Sequence, residues 1–586
     1  MENIAIARIL TDVADLLEIQ GEINPFRIRA YRNAVHTVQE QGLSLRKLVE
    51  DGEDLTELPF IGKDMSRHIT ELVQTGKLTV LEEIEAQVPR SLIELKRLPG
   101  VGPKRTRRLW EELGVTTVDE LEVAASEGLV EELDGFGKKT QDRILEGIER
   151  SRKRLGRFRL GDADQYVEPL LEYLRGEPAV QRVEVAGSYR RRKETVGDID
   201  LLVIADDPDP VMERFASYPQ VADVDKAGGT RGTVHLASGL QVDLRILTAE
   251  DYGAAMVYFT GSKEHNITLR QRALERGLSI SEYGVFRLAD DGDDDSEVST
   301  TGRQLGERVA GRTEEDVYEA VDLPWIPPEL REERGEFALA DGGGLPTVLE
   351  LSEIRGDLHM HSTWSDGKNS IEEMLNACAE RGYEYFAMAD HSKALAMTGG
   401  MDAAKLRLQL EEIEEIVGRR SEIKFLRSME VDILADGSLD LEDEALELLD
   451  LVVISVHSRF ALPQAKQTER LVRAVQHPLA NILGHPTGRI INRRDAFDVD
   501  LSAVLECAAE NKVAVELNAN PARLDLKDTD LMQAKRLGAK VVINTDAHRI
   551  SDLDLMHYGV EQARRAWLSA DDVVNAWPMQ DMLAYF

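Results

Sequence analysis

Gly187-Ser188-Tyr189-Arg190-Arg191, followed after five intervening residues by Gly197-Asp198-Ile199-Asp200-Leu201-Leu202-Val203-Ile204, decides how the first half of this 586-residue chain is to be read. The second segment has the apolar, β-branched composition of a strand. Residues two apart on a strand point to the same face, so Asp198 and Asp200 can chelate neighbouring hard cations. Gly197 leaves room beside them for a phosphate chain. A third acid is needed, and Val242-Asp243-Leu244-Arg245 supplies Asp243 on a second strand-like segment with apolar neighbours. Two Mg²⁺ (or Mn²⁺) ions held this way can lower the pKa of an attacking 3′-hydroxyl and neutralise a leaving pyrophosphate. Around this stretch, residues 159–250 alternate as β-rich sequence, with Val183-Glu-Val-Ala a further strand.

Upstream, apolar residues recur at helical spacing in Ile9–Leu17 and Leu72–Ile84, interrupted by Pro and Gly. One motif occurs three times there: Leu58-Pro-Phe-Ile-Gly62-Lys63, Leu98-Pro-Gly100-Val-Gly102-Pro-Lys104 and Leu133-Asp-Gly135-Phe-Gly137-Lys138-Lys139. Each resembles a helix-hairpin-helix, in which glycines let the backbone approach a phosphate and the next helix offers its N-terminal amides to the same anion. This is recognition of nucleic-acid backbone without regard to sequence. The chain carries a net charge of −37, which argues against a nucleic-acid partner until its distribution is considered. Lys96 to Arg108 holds Lys96, Arg97, Lys104, Arg105, Arg107 and Arg108 with no acid, and Arg150 to Arg159 repeats the pattern. The second hairpin lies inside the first of these basic islands.

Downstream, Asp290–Glu297 reads as an exposed hairpin or loop, and Pro324, Pro327, Pro328 and Asp341-Gly-Gly-Gly-Leu-Pro346 mark a linker over 329–350. Beyond Leu351, strand-like runs (Phe386–Ala389, Leu451–Val456, Ala480–Leu483, Val513–Leu517, Lys540–Ile543) alternate with helical stretches, as in a parallel α/β sheet or barrel. Asp357-Leu-His359-Met-His361-Ser362 places two imidazoles on one side of a strand end, with Asp366 just after. His391, Glu430, His457, His485, Asp546 and His548 also fall at strand ends, so six of the twelve histidines follow one pattern. The carboxyl ends of parallel strands converge, so these nine ligands make one cluster suited to Mn²⁺ or Zn²⁺ in a multinuclear site. Arg459 and Arg489, beside His457 and His485, are candidate phosphate ligands.

The bulk numbers fit. With 42% apolar residues the chain can bury several cores. Met1 is not followed by a charged-then-apolar leader, and Leu451–Val456 is far short of the ~20 residues that cross a bilayer, so a soluble protein without membrane contact is expected. Cys378 and Cys507 have no CxxC partner, which fits a reducing cytoplasm and excludes a disulfide framework.

These motifs together resemble the family X DNA polymerases, to which polymerase beta belongs, over residues 1–325. Tyr258-Phe259-Thr260-Gly261-Ser262, with Asn266 beyond, is similar to that family's sugar-reading turn. The resemblance implies that Tyr258 and Phe259 pack against the deoxyribose, that Asn266 reaches the base edge or primer terminus, and that Ser188 and Arg191, beside Gly187, hold the β- and γ-phosphates. Residues 351–586 resemble the PHP (polymerase and histidinol phosphatase) domain, whose nine ligand positions are all present. That resemblance implies a distorted, TIM-like barrel of seven strands, three ions, and 3′→5′ exonucleolysis or removal of 3′ blocking groups.

The implied organisation is an 8-kDa-like helical domain (1–85), a helix-hairpin-helix domain (86–158), an α+β nucleotidyltransferase palm (159–250), a nucleotide-selection subdomain (251–328), the linker and the PHP domain. The implied partners are gapped or primed DNA and dNTPs, acted on by a monomer in DNA repair. Two departures from the family stand out. Lys263 replaces the usual acid after the Tyr-Phe-Thr-Gly-Ser turn and puts a cation near the incoming nucleotide. His68 occupies the position of the Schiff-base lysine, which puts 5′-deoxyribose-phosphate lyase activity in doubt, since imidazole forms no imine. Two other readings compete: a non-polymerising nucleotidyltransferase joined to a small-molecule phosphatase, which the three hairpins disfavour, and a DNA-binding scaffold with dead sites, which the complete ligand sets disfavour.

Overall fold

A computed structural model describes the chain apart from residues 1–2, 22–23, 41–44, 51, 99, 134, 155, 289–296, 299–303, 395–397 and 419–422. Of the acidic run Asp290–Glu297, only Glu297 is among the described residues. The chain forms two compact units, Met1–Leu155 and Gly156–Phe586, each taken by itself below.

The first unit is helical. Its main helices are Asn3–Gln20, Pro25–Glu40, Lys63–Thr75, Thr79–Glu85, Pro103–Leu113, Val118–Ser126 and Gly137–Arg154. The apolar run Leu72–Ile84 is split, because Gly76 ends the first of two helices in a left-handed conformation and its amide caps the Leu72 carbonyl. One continuous core runs from Ile6 to Ile148. The expected boundary near residue 85 is therefore not a break in the packing. Asn3–Gln20 sits at the centre, where Asp15 accepts from Lys96 Nζ at 2.6 Å and the Ile19 carbonyl accepts from Arg107 Nε at 2.5 Å.

The second unit begins with a five-stranded sheet in the order Arg182–Val185, Asp198–Ile204, Gln241–Leu247, Arg231–Leu236, Val221–Gly228. Asp198–Ile204 and Gln241–Leu247 run parallel. Next come the helices Tyr252–Thr260 and Lys263–Glu275 and a four-stranded antiparallel sheet. The expected linker, 329–350, is folded: Leu330 and Phe337 join this subdomain's core, and Arg331 and Glu336 are fully buried. Its Pro and Gly residues read as a loose connection because the side chains that anchor it are charged. Buried charge is tolerated where it is paired, and here Arg331 meets Glu314 at 2.7 Å while Glu336 meets His265 at 2.8 Å.

Seven parallel strands follow in sequence order: Gly356–Asp357, Tyr385–Met388, Lys424–Asp432, Leu451–Ser455, Ile482–Leu483, Ala514–Asn518 and Val541–Asn544. A bridge between Met360 and Ala547 links the segments after the first and last strands, so the barrel is nearly closed. The palm is docked on this barrel. Ile491, Leu524 and Tyr558 of the barrel belong to the palm's own core cluster, and a Cβ on Gly161 would come within 2.8 Å of the Pro521 ring. Arg192 pairs with Glu561 at 2.8 Å, and Tyr558 donates to Asp164.

Candidate functional sites

The register of the palm sheet sets the first site. Asp200 stands directly opposite Asp243 on adjacent parallel strands, and Asp198 lies two residues before it on the same face. Asp243 is fixed by hydrogen bonds from Thr233 Oγ1 at 2.5 Å and Gln241 Nε2 at 2.7 Å. Burial, and then the nearby charges of Asp198 and Asp243, push the Asp200 carboxyl up to about 7. Three crowded carboxylates of which one resists ionisation are what a cation site looks like to a proton, so this donor set fits divalent metal. The Gly187 backbone is left-handed (φ +64°), and a Cβ there would collide with the Asp200 carboxylate.

Around these acids, Ser188 lies in the short helix Gly187–Arg190. Arg191 is buried, donating from Nη1 to the Thr260 carbonyl at 2.7 Å and from Nε to Glu332 at 2.9 Å. Tyr258 and Phe259 end the helix Tyr252–Thr260 with their rings edge-on at 5.0 Å. Asn266 Nδ2 donates to the Tyr258 carbonyl at 2.6 Å, and a Cβ on Gly261 would press to 2.6 Å from Asn266 Oδ1. Ser262 caps the next helix by accepting from the His265 amide at 3.0 Å, and Lys263 is exposed at its first position. Sequence reasoning missed Glu314, which is buried and accepts from Arg190 and Arg331. No spacing signal marks it, since its partners lie far away in the chain.

At the barrel mouth all nine expected ligands come together. His361, Asp366, His391 and His548 form one group, His359, His361 and Asp546 a second, and His391, Glu430 and His457 a third. His485 Nε2 joins them at 3.0 Å from Glu430. Asp546 (φ +54°) and His485 (φ +27°) sit in left-handed backbone, a strain that aims strand-end side chains inward. His359 Nε2, His361 Nδ1 and His485 Nδ1 are buried without hydrogen-bond partners, which is costly unless a cation takes their lone pairs. The electrostatics agree: burial works to raise Glu430, yet His457, His359 and His391 hold it well below the usual carboxylate range. His457 is pushed up to about 10, because Glu430 and Asp432 outweigh the effect of burial. Imidazole and carboxylate donors in this number suit several divalent ions.

Partners that fix these ligands were not foreseen. Glu516 accepts from His359 Nδ1 at 2.7 Å and from the His485 amide at 2.7 Å, Asp432 accepts from His457 Nδ1 at 2.8 Å, and Asn518 donates to Asp546 at 3.0 Å. Such outer contacts set tautomer and ring orientation. The signal available for Glu516 was an acid inside the apolar run Val513–Leu517. Arg489 does not serve the site as expected: it donates to Glu194 of the palm at 2.7 Å and to the Leu524 carbonyl, so both its reach and its charge are committed. Arg459 (φ +57°) is exposed beside His457.

In the helical unit, Gly62 and Gly102 adopt the same backbone (φ −81° for both, ψ 176° and 174°) as N-caps of Lys63–Thr75 and Pro103–Leu113, with no side chain capping either helix. The amides of Lys63 and Asp64 in the one helix, and of Lys104 beyond Pro103 in the other, therefore remain for an anion. Gly137 begins the third such helix. Gly100 and Gly135 hold left-handed turns (φ +84° and +77°). Lys63, Lys104, Lys138 and Lys139 are exposed. Arg105 instead braces two hairpins, donating to the Gly100 carbonyl at 2.7 Å and the Gly135 carbonyl at 3.2 Å. Much of the basic island is internal, as Lys96 and Arg107 bind Asn3–Gln20 and Arg108 pairs with Glu112 at 2.6 Å. The Tyr31 hydroxyl and His68 Nδ1 are 3.2 Å apart, and the two rings stack.

A helical unit with phosphate-ready hairpins, a three-carboxylate palm and a nine-ligand barrel define a DNA-acting nucleotidyltransferase with a second, hydrolytic centre. Family profiles match in the same order: a helix-hairpin-helix domain over residues 1–78, a SAM-like helix-hairpin-helix tandem over 92–150, the DNA polymerase beta thumb over 255–332 and the PHP domain over 357–520. The DNA polymerase/3′-5′ exonuclease PolX of Bacillus subtilis (strain 168) is 38% identical over 99% of this chain and 98% of its own length. DNA polymerase lambda of Rattus norvegicus is 23% identical over 56% of each chain. A probable phosphatase of Thermoanaerobacter sp. (strain X514) is 25% identical over 37% of this chain and 89% of its own. The chain belongs to the PolX family, family X DNA polymerases that carry a C-terminal PHP domain. It is a DNA polymerase with a 3′-5′ exonuclease or phosphoesterase function. No helix among the described residues is long and apolar enough to cross a membrane.

Proposed function

We propose that this enzyme, working as a monomer in the cytoplasm, fills short gaps in damaged DNA from dNTPs at the palm and trims or cleans 3′ ends at the barrel. The observation that carries the reading is the in-register pair Asp200 and Asp243 with Asp198 on the same face. These three would hold two Mg²⁺ or Mn²⁺ ions, which supply activation of the 3′-hydroxyl and charge neutralisation at the pyrophosphate. Gly187, where a Cβ would collide with Asp200, and Gly197 would leave room for the triphosphate. Ser188 and Lys263 would hold its phosphates, and Tyr258 and Phe259 would offer an apolar edge to the sugar. Arg191 acts chiefly as a brace, since two of its nitrogens already hold Thr260 and Glu332. At the barrel, His359, His361, Asp366, His391, Glu430, His457, His485, Asp546 and His548 would hold Mn²⁺ or Zn²⁺, three ions in all, and Arg459 would meet the scissile phosphate. Lys63, Lys104, Lys138 and Lys139, with the glycine-capped helices, would grip the DNA backbone.

Primer extension on one-nucleotide-gapped DNA with Mg²⁺ or Mn²⁺, reading elongation and shortening in the same lane, tests this. Elongation without shortening on any 3′ end would remove the barrel's assigned role, and no elongation would remove the palm's.

A further inference from the structure

The three hairpins close with the same turn. The Ile61 amide donates to the Leu58 carbonyl at 3.2 Å, Val101 to Leu98 at 3.0 Å and Phe136 to Leu133 at 3.1 Å. The third residue of each turn is left-handed: φ is +84° at Gly100, +77° at Gly135 and +59° at Phe60. A turn with positive φ at this position takes glycine, and a bulky side chain there is an outlier. Phe60 is the one non-glycine residue with left-handed backbone among the described residues of the first unit. The residue is 68% exposed, so burial does not offset the strain. A single exposed aromatic residue is ordinary. A strained one, placed where two sister motifs have glycine, points to a use outside the folded chain.

Its surroundings define that use. Two residues on, Gly62 begins a helix that no side chain caps, and Lys63 is exposed at its first position. A DNA phosphate bound to those amides brings its own nucleotide beside the Phe60 ring. In continuous duplex every base is paired and stacked between neighbours; at a gap the template base lacks the pairing that holds it in the stack, and an aromatic ring stacks on any base that swings free. We propose that Phe60 stacks on a base left unpaired at a gap, making the first hairpin a reader of discontinuity while the second and third grip duplex backbone. This rests on the reading that the enzyme binds gapped DNA.

The test uses the full-length protein and a one-nucleotide gap with 2-aminopurine at the unpaired template position. Phe60→Gly restores the turn's preferred residue, so its melting temperature should equal or exceed that of the wild type. Its affinity for gapped DNA should fall about ten-fold, with affinity for continuous duplex unchanged. The wild type and Phe60→Trp should quench 2-aminopurine fluorescence, and Phe60→Gly should not. Undiminished gap affinity and quenching in Phe60→Gly would overturn the proposal. So would an equal loss on gapped and continuous DNA, which would make Phe60 a backbone contact, or a lowered melting temperature, which would make it a packing residue. Failure of the wild type itself to bind gapped DNA would instead overturn the underlying reading.

Discussion

Arg489, four residues after a barrel ligand, donates to Glu194 of the palm at 2.7 Å, so a residue neighbouring one active site helps to hold the loop that leads into the other. Both side chains are largely shielded, which makes the pair more than a surface contact. Arg489→Ala and Glu194→Ala should therefore behave alike. Each lowers the melting temperature of the second unit, the double variant adds little, and neither removes 3′-end shortening. A loss of shortening confined to Arg489→Ala would return that arginine to the role of phosphate ligand.

The two metal centres draw on separate residues and should be separable. Asp198→Ala, Asp200→Ala or Asp243→Ala should abolish elongation and spare shortening. His359→Ala combined with His361→Ala should do the reverse. Elongation that survives in all three palm variants would refute the polymerase site, and shortening by the purified double variant would place the nuclease elsewhere.

Glu314 connects pH to stability. Burial works to raise its pKa, but Arg331 and Arg190 outweigh that and hold it at about 2, against an ordinary 4.5. A depressed carboxyl stabilises the fold above its unfolded value, so about 3 kcal/mol should be lost as pH falls from 4.5 to 2. Glu314→Gln should flatten that part of the pH profile. It should also cost about 3–5 kcal/mol at neutral pH, because Arg331 is left charged and buried. Denaturant titrations of both proteins across this window measure the difference; parallel profiles would show that the pair contributes nothing.

The salt dependence of DNA binding should follow exposure rather than sequence charge. Lys63, Lys104, Lys138 and Lys139 are exposed, whereas Lys96, Arg105 and Arg107 are spent inside the unit. Replacing the four lysines with Ala should reduce the slope of log affinity against log salt by up to about 0.9 for each phosphate that they neutralise. An unchanged slope would mean that they are ordinary solvated surface.

What could be read from sequence was whatever local spacing determines. Asp198 and Asp200 share a strand face by period alone, and the barrel ligands were found because strand ends converge in any parallel barrel. Four of the five strand-like runs named beyond Leu351 became strands within a residue of their expected starts, and Ala480–Leu483 shortened to Ile482–Leu483. Of Lys424–Asp432 the sequence marks only Glu430, as a strand-end ligand, and not the run itself, because Lys424, Arg427, Ser428, Glu430 and Asp432 break its apolar pattern. What escaped were long-range ion pairs. Arg331, Glu314 and Glu336 look like solvated charge in the sequence, and only the fold pairs and buries them. The same blindness turned a packed segment into a linker and made internal arginines look like a DNA surface.

His68 carries the last prediction. Trapping an imine with borohydride needs a primary amine beside an abasic sugar, and imidazole has none. The structure shows what His68 does instead: its ring stacks on Tyr31 with Nδ1 3.2 Å from the hydroxyl, and burial holds its pKa below the ordinary histidine value, so at neutral pH it is an uncharged partner of a buried phenol. The wild type should therefore crosslink poorly to a 5′-deoxyribose-phosphate end. His68→Lys places an amine in the same half-buried position, and the trapped product should rise if the sugar reaches it. Because Lys63 lies one helical turn and a residue earlier and is exposed, the control is Lys63→Ala. Efficient trapping by the wild type that disappears in Lys63→Ala would show that the neighbouring lysine performs the lyase chemistry and that this hairpin does more than anchor DNA.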